Sequence, residues 1–191
     1  MTAIILAGGK SRRMGNRDKA FIEIEREPLI RRQLRLLKKD FKKIIIVANA
    51  VDKYKGFKGV RVVPDAVAGQ GPLGGILSGL LASGERYNFV VACDMPFINR
   101  PLIKYMQMVK TGYDVVVPRL NNRYEPLFGI YSKSCSKSIK SLLDKKILKI
   151  SRFFPKVKVR KISRKEISQF GRPEEIFMNI NTPIDLSKLN G

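Results

Sequence analysis

Four places in the first half of the chain carry glycine or polar residues that could line a ligand site, and each follows a short apolar run. Gly8 and Gly9 follow residues 3–7, Asn49 follows 44–48, Asp65 follows 60–63 after Pro64, and Asp94 follows 89–93. Any one of these alone is an ordinary turn residue, since Gly, Asn and Asp dominate turns. At four successive strand ends they describe one crevice, because ligands of open parallel sheets lie beyond the carboxyl ends of the strands. The first belongs to Leu6-Ala7-Gly8-Gly9-Lys10-Ser11-Arg12-Arg13-Met14-Gly15, and five cations fall between positions 10 and 19. A Walker A loop would need glycine where Ile4 stands, and the dinucleotide fingerprint would need it where Lys10 stands, so both generic phosphate loops fail. What remains is a loop whose backbone N–H groups can cradle phosphate oxygens while Arg13 and Lys19 neutralise their charge.

The elements that must hold these positions can be read from hydrophobic pattern. The four apolar runs are continuous instead of alternating in polarity, as expected of strands buried on both faces of a mostly parallel sheet. Between them, residues 29–39 carry Leu or Ile at 29, 30, 34, 36 and 37, the stripe of an amphipathic helix. Residues 73–82 form a more apolar helix whose Gly74, Gly75 and Gly79 invite close packing. This is the β-α-β alternation of a doubly wound, Rossmann-like α/β domain with helices on both faces of the sheet. Beyond residue 110 the pattern loosens: 114–117, 127–131 and 157–162 read as strands, 136–143 and 183–189 as helices. No repeat or linker divides the chain, so residues 1–191 are read as a single domain with a basic C-terminal lobe.

Composition narrows the chemistry. The chain has 38 Lys plus Arg against 16 Asp plus Glu, a net charge of +22, and no histidine. Without His there is no Ser-His-Asp or Cys-His nucleophile, no His-ligated metal and no imidazole acid or base. Residues 133–172 carry 14 basic and 2 acidic side chains, a candidate surface for a polyanion. No apolar run approaches the roughly 20 residues of a membrane helix. Cys93 and Cys135 form neither a disulfide framework nor a CxxC metal knuckle, which points to a reducing cytoplasm. Cys93, ending an apolar strand, is expected to be buried and inert; Cys135, in a Ser/Lys-rich stretch, is expected to be exposed.

The motifs taken together are more specific. LAGGKSRRMGNRDK from Leu6, GPLGGILSGL at 71–80, ACDMPF at 92–97, YEPLFGIY at 124–131 and FMNINTPIDL at 177–186 closely resemble those of the molybdenum cofactor guanylyltransferases. The resemblance runs in order along almost the whole chain. It implies the nucleotide-diphospho-sugar transferase type of fold and transfer of GMP from GTP to the terminal phosphate of molybdopterin, releasing pyrophosphate. Residues 1–110 would be the GTP-binding half and 111–191 the acceptor-binding half.

Carried over position by position, Leu6, Ala7, Gly8 and Gly9 correspond to the backbone segment that meets GTP, and Lys19 to the lysine that contacts its phosphates. Asn49 and Asp65 correspond to nucleoside-binding positions, and Asp94 to the magnesium-binding aspartate. Asn179 and Asn181 match the NxNTP asparagines near the metal and acceptor, although Asn181 is also placed to cap the last helix. Mg²⁺ is the implied cofactor. Proteins that insert molybdenum or act as molybdoenzyme chaperones are implied partners; neither membrane nor nucleic acid is expected.

Elementary chemistry agrees with that assignment. A phosphate nucleophile is already ionised at pH 7, so no base is required, and catalysis reduces to alignment and charge stabilisation by Mg²⁺, backbone amides, Lys and Arg. Arg152, Lys156, Lys158, Arg160 and Lys161 are candidates, as a set, for the anionic acceptor. Related readings keep the reaction and change base or acceptor: molybdopterin cytidylyltransferase, phospholactate guanylyltransferase or sugar-phosphate nucleotidyltransferase. Outside this chemistry, a pI near 10.3 leaves a basic nucleic-acid-binding protein or a regulatory GTP-binding protein.

Overall fold

The computed structural model describes residues 1–7, 18–65 and 69–190, with the backbone alone at 183 and 188–190. The strand β1 (Thr2–Leu6) is followed by a two-stranded hairpin, β2 (Glu23–Ile24) and β3 (Glu27–Pro28), and then by α1 (Leu29–Leu37). Next come β4 (Lys43–Val47), β5 (Arg61–Val63), α2 (Gly71–Ala82), β6 (Tyr87–Ala92) and α3 (Arg100–Met108). The second half adds β7 (Val115–Leu120), β8 (Arg123–Tyr124), β9 (Phe128–Ser132), α4 (Cys135–Asp144) and β10 (Val159–Ser163). Three helices close the chain, α5 (Arg164–Ile167), α6 (Pro173–Ile176) and α7 (Pro183–Asn190).

The main sheet runs in the order β10-β7-β9-β6-β1-β4-β5, with β8 paired to β7 outside this row. β1 is parallel to β4 and β6, β4 to β5, and β7 to β10. Within that row β9 alone runs against its neighbours, β6 and β7; β8, outside the row, is also antiparallel to β7. The reversal starts at the β7–β8 turn, where Asn121 and Asn122 take φ of +43° and +64°. Two consecutive left-handed residues make the hairpin turn that suits the twist of paired strands, and Asn tolerates that region.

Alternate residues of the central strands feed two cores. Ala3, Ile5 and Ala7 pack with residues of α1, α3, α5 and α6, whereas Ile4 and Leu6 pack with those of α2 and α4. Helices therefore cover both faces, and the continuous apolar runs are explained by burial on either side. The expected strand and helix positions are observed with shifts of up to three residues at their ends, the largest at β7, which runs on to Leu120. The hairpin β2–β3 and the helix α3 were not anticipated. The first lacks the usual turn signal because Glu25 and Arg26, not Gly or Asn, hold φ of +51° and +65°. The second is signalled by Asn99, whose side chain caps the helix at the Leu102 N–H, followed by the buried stripe Leu102, Ile103 and Met106.

The glycines of α2 determine how closely that helix lies on β1. A Cβ at Gly79 would stand 2.5 Å from Ile4 Cγ2, and one at Gly75 would stand 3.3 Å from Leu6 Cδ2. Ile4 is fully buried in the central strand and has no room to retreat. In an exposed helix, Gly→Ala would stabilise by about 1 kcal/mol. Here Gly79→Ala is expected to destabilise by about 1–3 kcal/mol through overpacking, read as a lower urea midpoint at unchanged m-value.

Candidate active site

Backbone hydrogen bonds carry the register of the sheet just past its strand ends. Ala7 N–H donates to Val47 O (2.8 Å), Cys93 N–H to Leu6 O (3.0 Å) and Ala48 N–H to Val63 O (3.0 Å). Leu6, Ala7, Asn49, Asp65 and Asp94 therefore share one edge of the sheet. Asn49 is exposed, while Asp65 is half-buried and accepts a hydrogen bond from Ser78 Oγ of α2 (3.1 Å). Gly8, Gly9 and Arg13 lie outside the described residues.

Three of the anticipated residues meet directly. Lys19 Nζ donates to Asp94 Oδ2 at 2.8 Å and to Asn181 Oδ1 at 2.6 Å. Side-chain exposure is 18% for both Lys19 and Asp94, so much of their hydration has been exchanged for this contact. Each arrives by a separate local device. Lys19 opens the 3-10 turn Lys19–Phe21, capped by Asp18, whose Oδ1 accepts the Ala20 N–H. Asp18 also accepts from the buried Tyr54 hydroxyl and pairs with Lys53 at 3.5 Å. Burial, reinforced by Asp18, pushes the Tyr54 hydroxyl pKa far up, so it remains a donor.

Asn181 is delivered by the penultimate segment of the chain. Ile180 N–H donates to Asp94 O at 2.9 Å, and the Ile180 side chain is buried with Ile22, Ile24 and Leu29. This anchor holds its two flanking asparagines beside Asp94. Asn179 Nδ2 donates to Phe177 O (3.2 Å), so the contact with Lys19 is made by Asn181. Capping of α7 falls to Thr182: its Oγ1 accepts the Asp185 N–H, while Asp185 Oδ2 accepts from the Thr182 N–H. That reciprocal pair leaves the Asn181 side chain to the crevice.

Asp94 sits in a β-turn over 92–95 that is gripped from below. Gln33 of α1, fully buried, donates from Nε2 to Ala92 O and Met95 O, each at 2.8 Å. Gln33, Asp18 and Tyr54 were not anticipated as site residues. The available signal was Gln33 itself, a polar interruption of the apolar stripe on α1. Cys93 is buried, and burial with the neighbouring Asp94 raises its thiol pKa. Cys135, expected to be exposed, is instead fully buried at the start of α4, where desolvation pushes its thiol to about 12. Its side chain faces the core between α4 and β7, and Sγ approaches Asp114 O at 3.5 Å.

The basic lobe separates into two surfaces. Lys145, Lys149, Arg152, Lys156 and Lys161 line an open cleft of about 750 Å³ with Phe154 in its wall and no carboxylate among its lining residues. None of these five cations has an ion pair among the described residues. Tyr124 at one end of the cleft belongs to the segment that reaches the crevice, since Leu127 O accepts the Ala92 N–H (3.1 Å). Arg160 does not join this set: it lies on the other face of β10 and pairs with Glu166, which also accepts from Tyr105. Lys158 is also absent from the lining.

Desolvation opposes ionisation of Glu166, but hydrogen bonds from Ser163, Tyr105 and Arg160 outweigh it and lower its pKa to about 2. A lowered folded-state pKa contributes stability above the unfolded value, and that contribution disappears as pH falls through the folded one. Glu166→Gln should therefore be less stable than the parent protein at pH 6. The difference should shrink below pH 4.5 and vanish near pH 2, as followed by urea denaturation across that range.

The open α/β sheet gathers a Lys, an Asp and an Asn at its carboxyl edge, where such sheets bind ligands, and the relatives of the chain give its class as nucleotidyltransferase. Residues 3–159 match the family model described as the MobA-like NTP transferase domain. A protein of Pelotomaculum thermopropionicum, named probable molybdenum cofactor guanylyltransferase, is 44% identical over 187 residues, covering 98% of this chain and 90% of that protein. A molybdenum cofactor guanylyltransferase of Desulfosudis oleivorans is 36% identical, with 98% and 93% covered. The crystal structure of molybdopterin-guanine dinucleotide biosynthesis protein A from Archaeoglobus fulgidus superimposes with a TM-score of 0.87 at 25% identity, covering 100% of this chain and 97% of that one. The chain belongs to the molybdenum cofactor guanylyltransferase family, and it is a nucleotidyltransferase enzyme. Among the described residues no helix is long and apolar enough to cross a membrane.

Proposed function

We propose that the protein transfers GMP from GTP to the terminal phosphate of molybdopterin, forming molybdopterin guanine dinucleotide and pyrophosphate. The observation that carries this reading is the convergence of Lys19, Asp94 and Asn181 at the carboxyl edge of the sheet. The bond formed joins an acceptor phosphate oxygen to the α-phosphorus; the bond broken releases pyrophosphate with its electron pair. Because the nucleophile arrives ionised, the residues have charge and geometry to manage and no proton to remove. Lys19 neutralises phosphate oxygens together with Arg13. Leu6, Ala7, Gly8 and Gly9 supply the backbone against which the nucleotide lies, and Asn49 and Asp65 hold its nucleoside end. Asn179 and Asn181 border the acceptor.

The donor set also suits Mg²⁺. Asp94 Oδ2 and Asn181 Oδ1 are hard oxygens already directed at one positive centre, the Lys19 ammonium. Among the described residues no cluster of three His, Cys, Asp or Glu forms an all-protein cage. One carboxylate completed by substrate phosphates is the ordinary arrangement for this ion. Asp94, with Asn181 beside it, would hold Mg²⁺, which supplies charge stabilisation at the phosphates when bound.

The unpaired cations of the cleft suit the anionic end of the acceptor, so Arg152, Lys156 and Lys161 are assigned to it. The reaction belongs in the cytoplasm, with proteins of molybdenum insertion or molybdoenzyme maturation as partners for exchange of acceptor and product.

Pyrophosphate release with purified protein, Mg²⁺ and molybdopterin should proceed with GTP and be slower by at least tenfold with CTP, ATP or UTP. Turnover with CTP in place of GTP would overturn the base assignment. Asp94→Asn is expected to lower the rate by about 10²-fold or more while GTP still binds in an equilibrium titration. Arg152→Ala should raise KM for molybdopterin and leave KM for GTP within twofold.

A further inference from the structure

We infer that Gln33 is a positioning residue for nucleotidyl transfer: its side-chain amide staples the two ends of the turn that presents Asp94. This deepens the proposed function and rests on the reading of Asp94 as a residue of the reaction centre. Ala92 and Met95 bracket Cys93 and Asp94, and the backbone closes this turn only weakly, with Met95 N–H to Ala92 O at 3.4 Å. Gln33 Nε2 stands 2.8 Å from the carbonyl oxygens on both sides. Two carbonyl acceptors at that distance can be satisfied only by the NH₂ end, each of its protons serving one of them. The strand side of the turn is already tied by Cys93 N–H to Leu6 O, and Asp94 O accepts from Ile180 N–H. On the far side the side-chain tie to the Met95 carbonyl comes from Gln33.

The cost of this arrangement argues against packing as its reason. Gln33 lies on the face of α1 that also buries Ile30, Leu34 and Leu37, where an apolar residue of similar volume would need no partner. Its own Oε1 is buried with no hydrogen-bond partner among the described residues. A buried acceptor left unpaired is a stability penalty, which a residue retained for core packing alone would avoid. The amide instead fixes the dihedral angles on either side of a carboxylate whose oxygen must meet the Lys19 ammonium, from which Asn181 Oδ1 also accepts. Errors of about 1 Å in such a group cost rate far out of proportion to any change in overall fold.

Gln33→Met keeps the length and removes both hydrogen bonds. It is expected to lower kcat with GTP, molybdopterin and Mg²⁺ by at least tenfold, with KM for GTP within twofold because the nucleoside end is held at other strands. Amide hydrogen exchange, measured by mass spectrometry on peptides spanning 92–96, should rise at least tenfold while exchange in β1 and β4 is unchanged. Gln33→Asn, one methylene shorter and still an amide, provides a second variant should Gln33→Met fail to fold; its kcat should fall between the two. Parent-like kcat in a folded variant would overturn the proposal, as would a rate loss that merely tracks a fall in melting temperature. If Asp94→Asn retains full activity, the reading of Asp94 fails. The Gln33 staple would still be judged separately, by exchange at 92–96.

Discussion

Lys19 is the point on which the site depends. Its ammonium meets Asp94 and Asn181, residues that the chain separates by 75 and 162 positions, and nothing local to any of the three segments would hold them together. The sheet does so. β1 and β6 are adjacent and parallel, which sets the start of the N-terminal loop beside the end of the strand that carries Asp94. The hydrogen bond from Ile180 to the Asp94 carbonyl then draws the C-terminal segment over the same edge. A carboxylate and an ammonium with little remaining hydration attract each other strongly, but only at a separation the backbone has already imposed. The local capping interactions serve that end: Asp18 orients the turn of Lys19, and Asp185, accepting from the Asn181 and Thr182 N–H groups, caps α7 with Thr182 and without the Asn181 side chain.

The central sheet was legible because β1, β4 and β6 are apolar on both faces and leave no doubt about burial. Asp94 was legible for the same reason, being the first polar residue after such a run. Gln33 escaped notice because a polar residue in a helical stripe looks like an imperfection until its partners are known. Those partners, the carbonyls of Ala92 and Met95, are backbone atoms 59 and 62 residues away with no signature in residue type. Cys135 was misjudged from its Ser and Lys neighbours; Lys137 and Lys140 are exposed on the same helix that buries Cys135, Ile139, Leu142 and Leu143. Period, not composition, decides which residues of an amphipathic helix are inside.

Charge shows a comparable division. The excess of Lys and Arg in residues 133–172 reads in one dimension as a uniform basic tract, but strand alternation sorts it. Val159 and Lys161 face one way on β10, and Arg160 and Ile162 the other. Arg160 is spent on Glu166 beside α3 and α5, an internal brace, while Lys145, Lys149, Arg152, Lys156 and Lys161 line the cleft. Net charge thus overstates what is available to a ligand, and neighbouring residues of the same sign do entirely different work.

The single reversed strand has a spatial consequence of its own. Because β9 runs against β6 and β7, the row of strand carboxyl ends is interrupted between them, and the segment 125–127 enters there instead. Strands lie about 4.8 Å apart, so the ends of β6 and β7 are separated by a gap of about 10 Å. An uninterrupted parallel sheet would present a ridge of successive loops at this edge. With one strand reversed, that place is taken by the chain entering β9, whose Leu127 carbonyl accepts the Ala92 N–H two residues before Asp94.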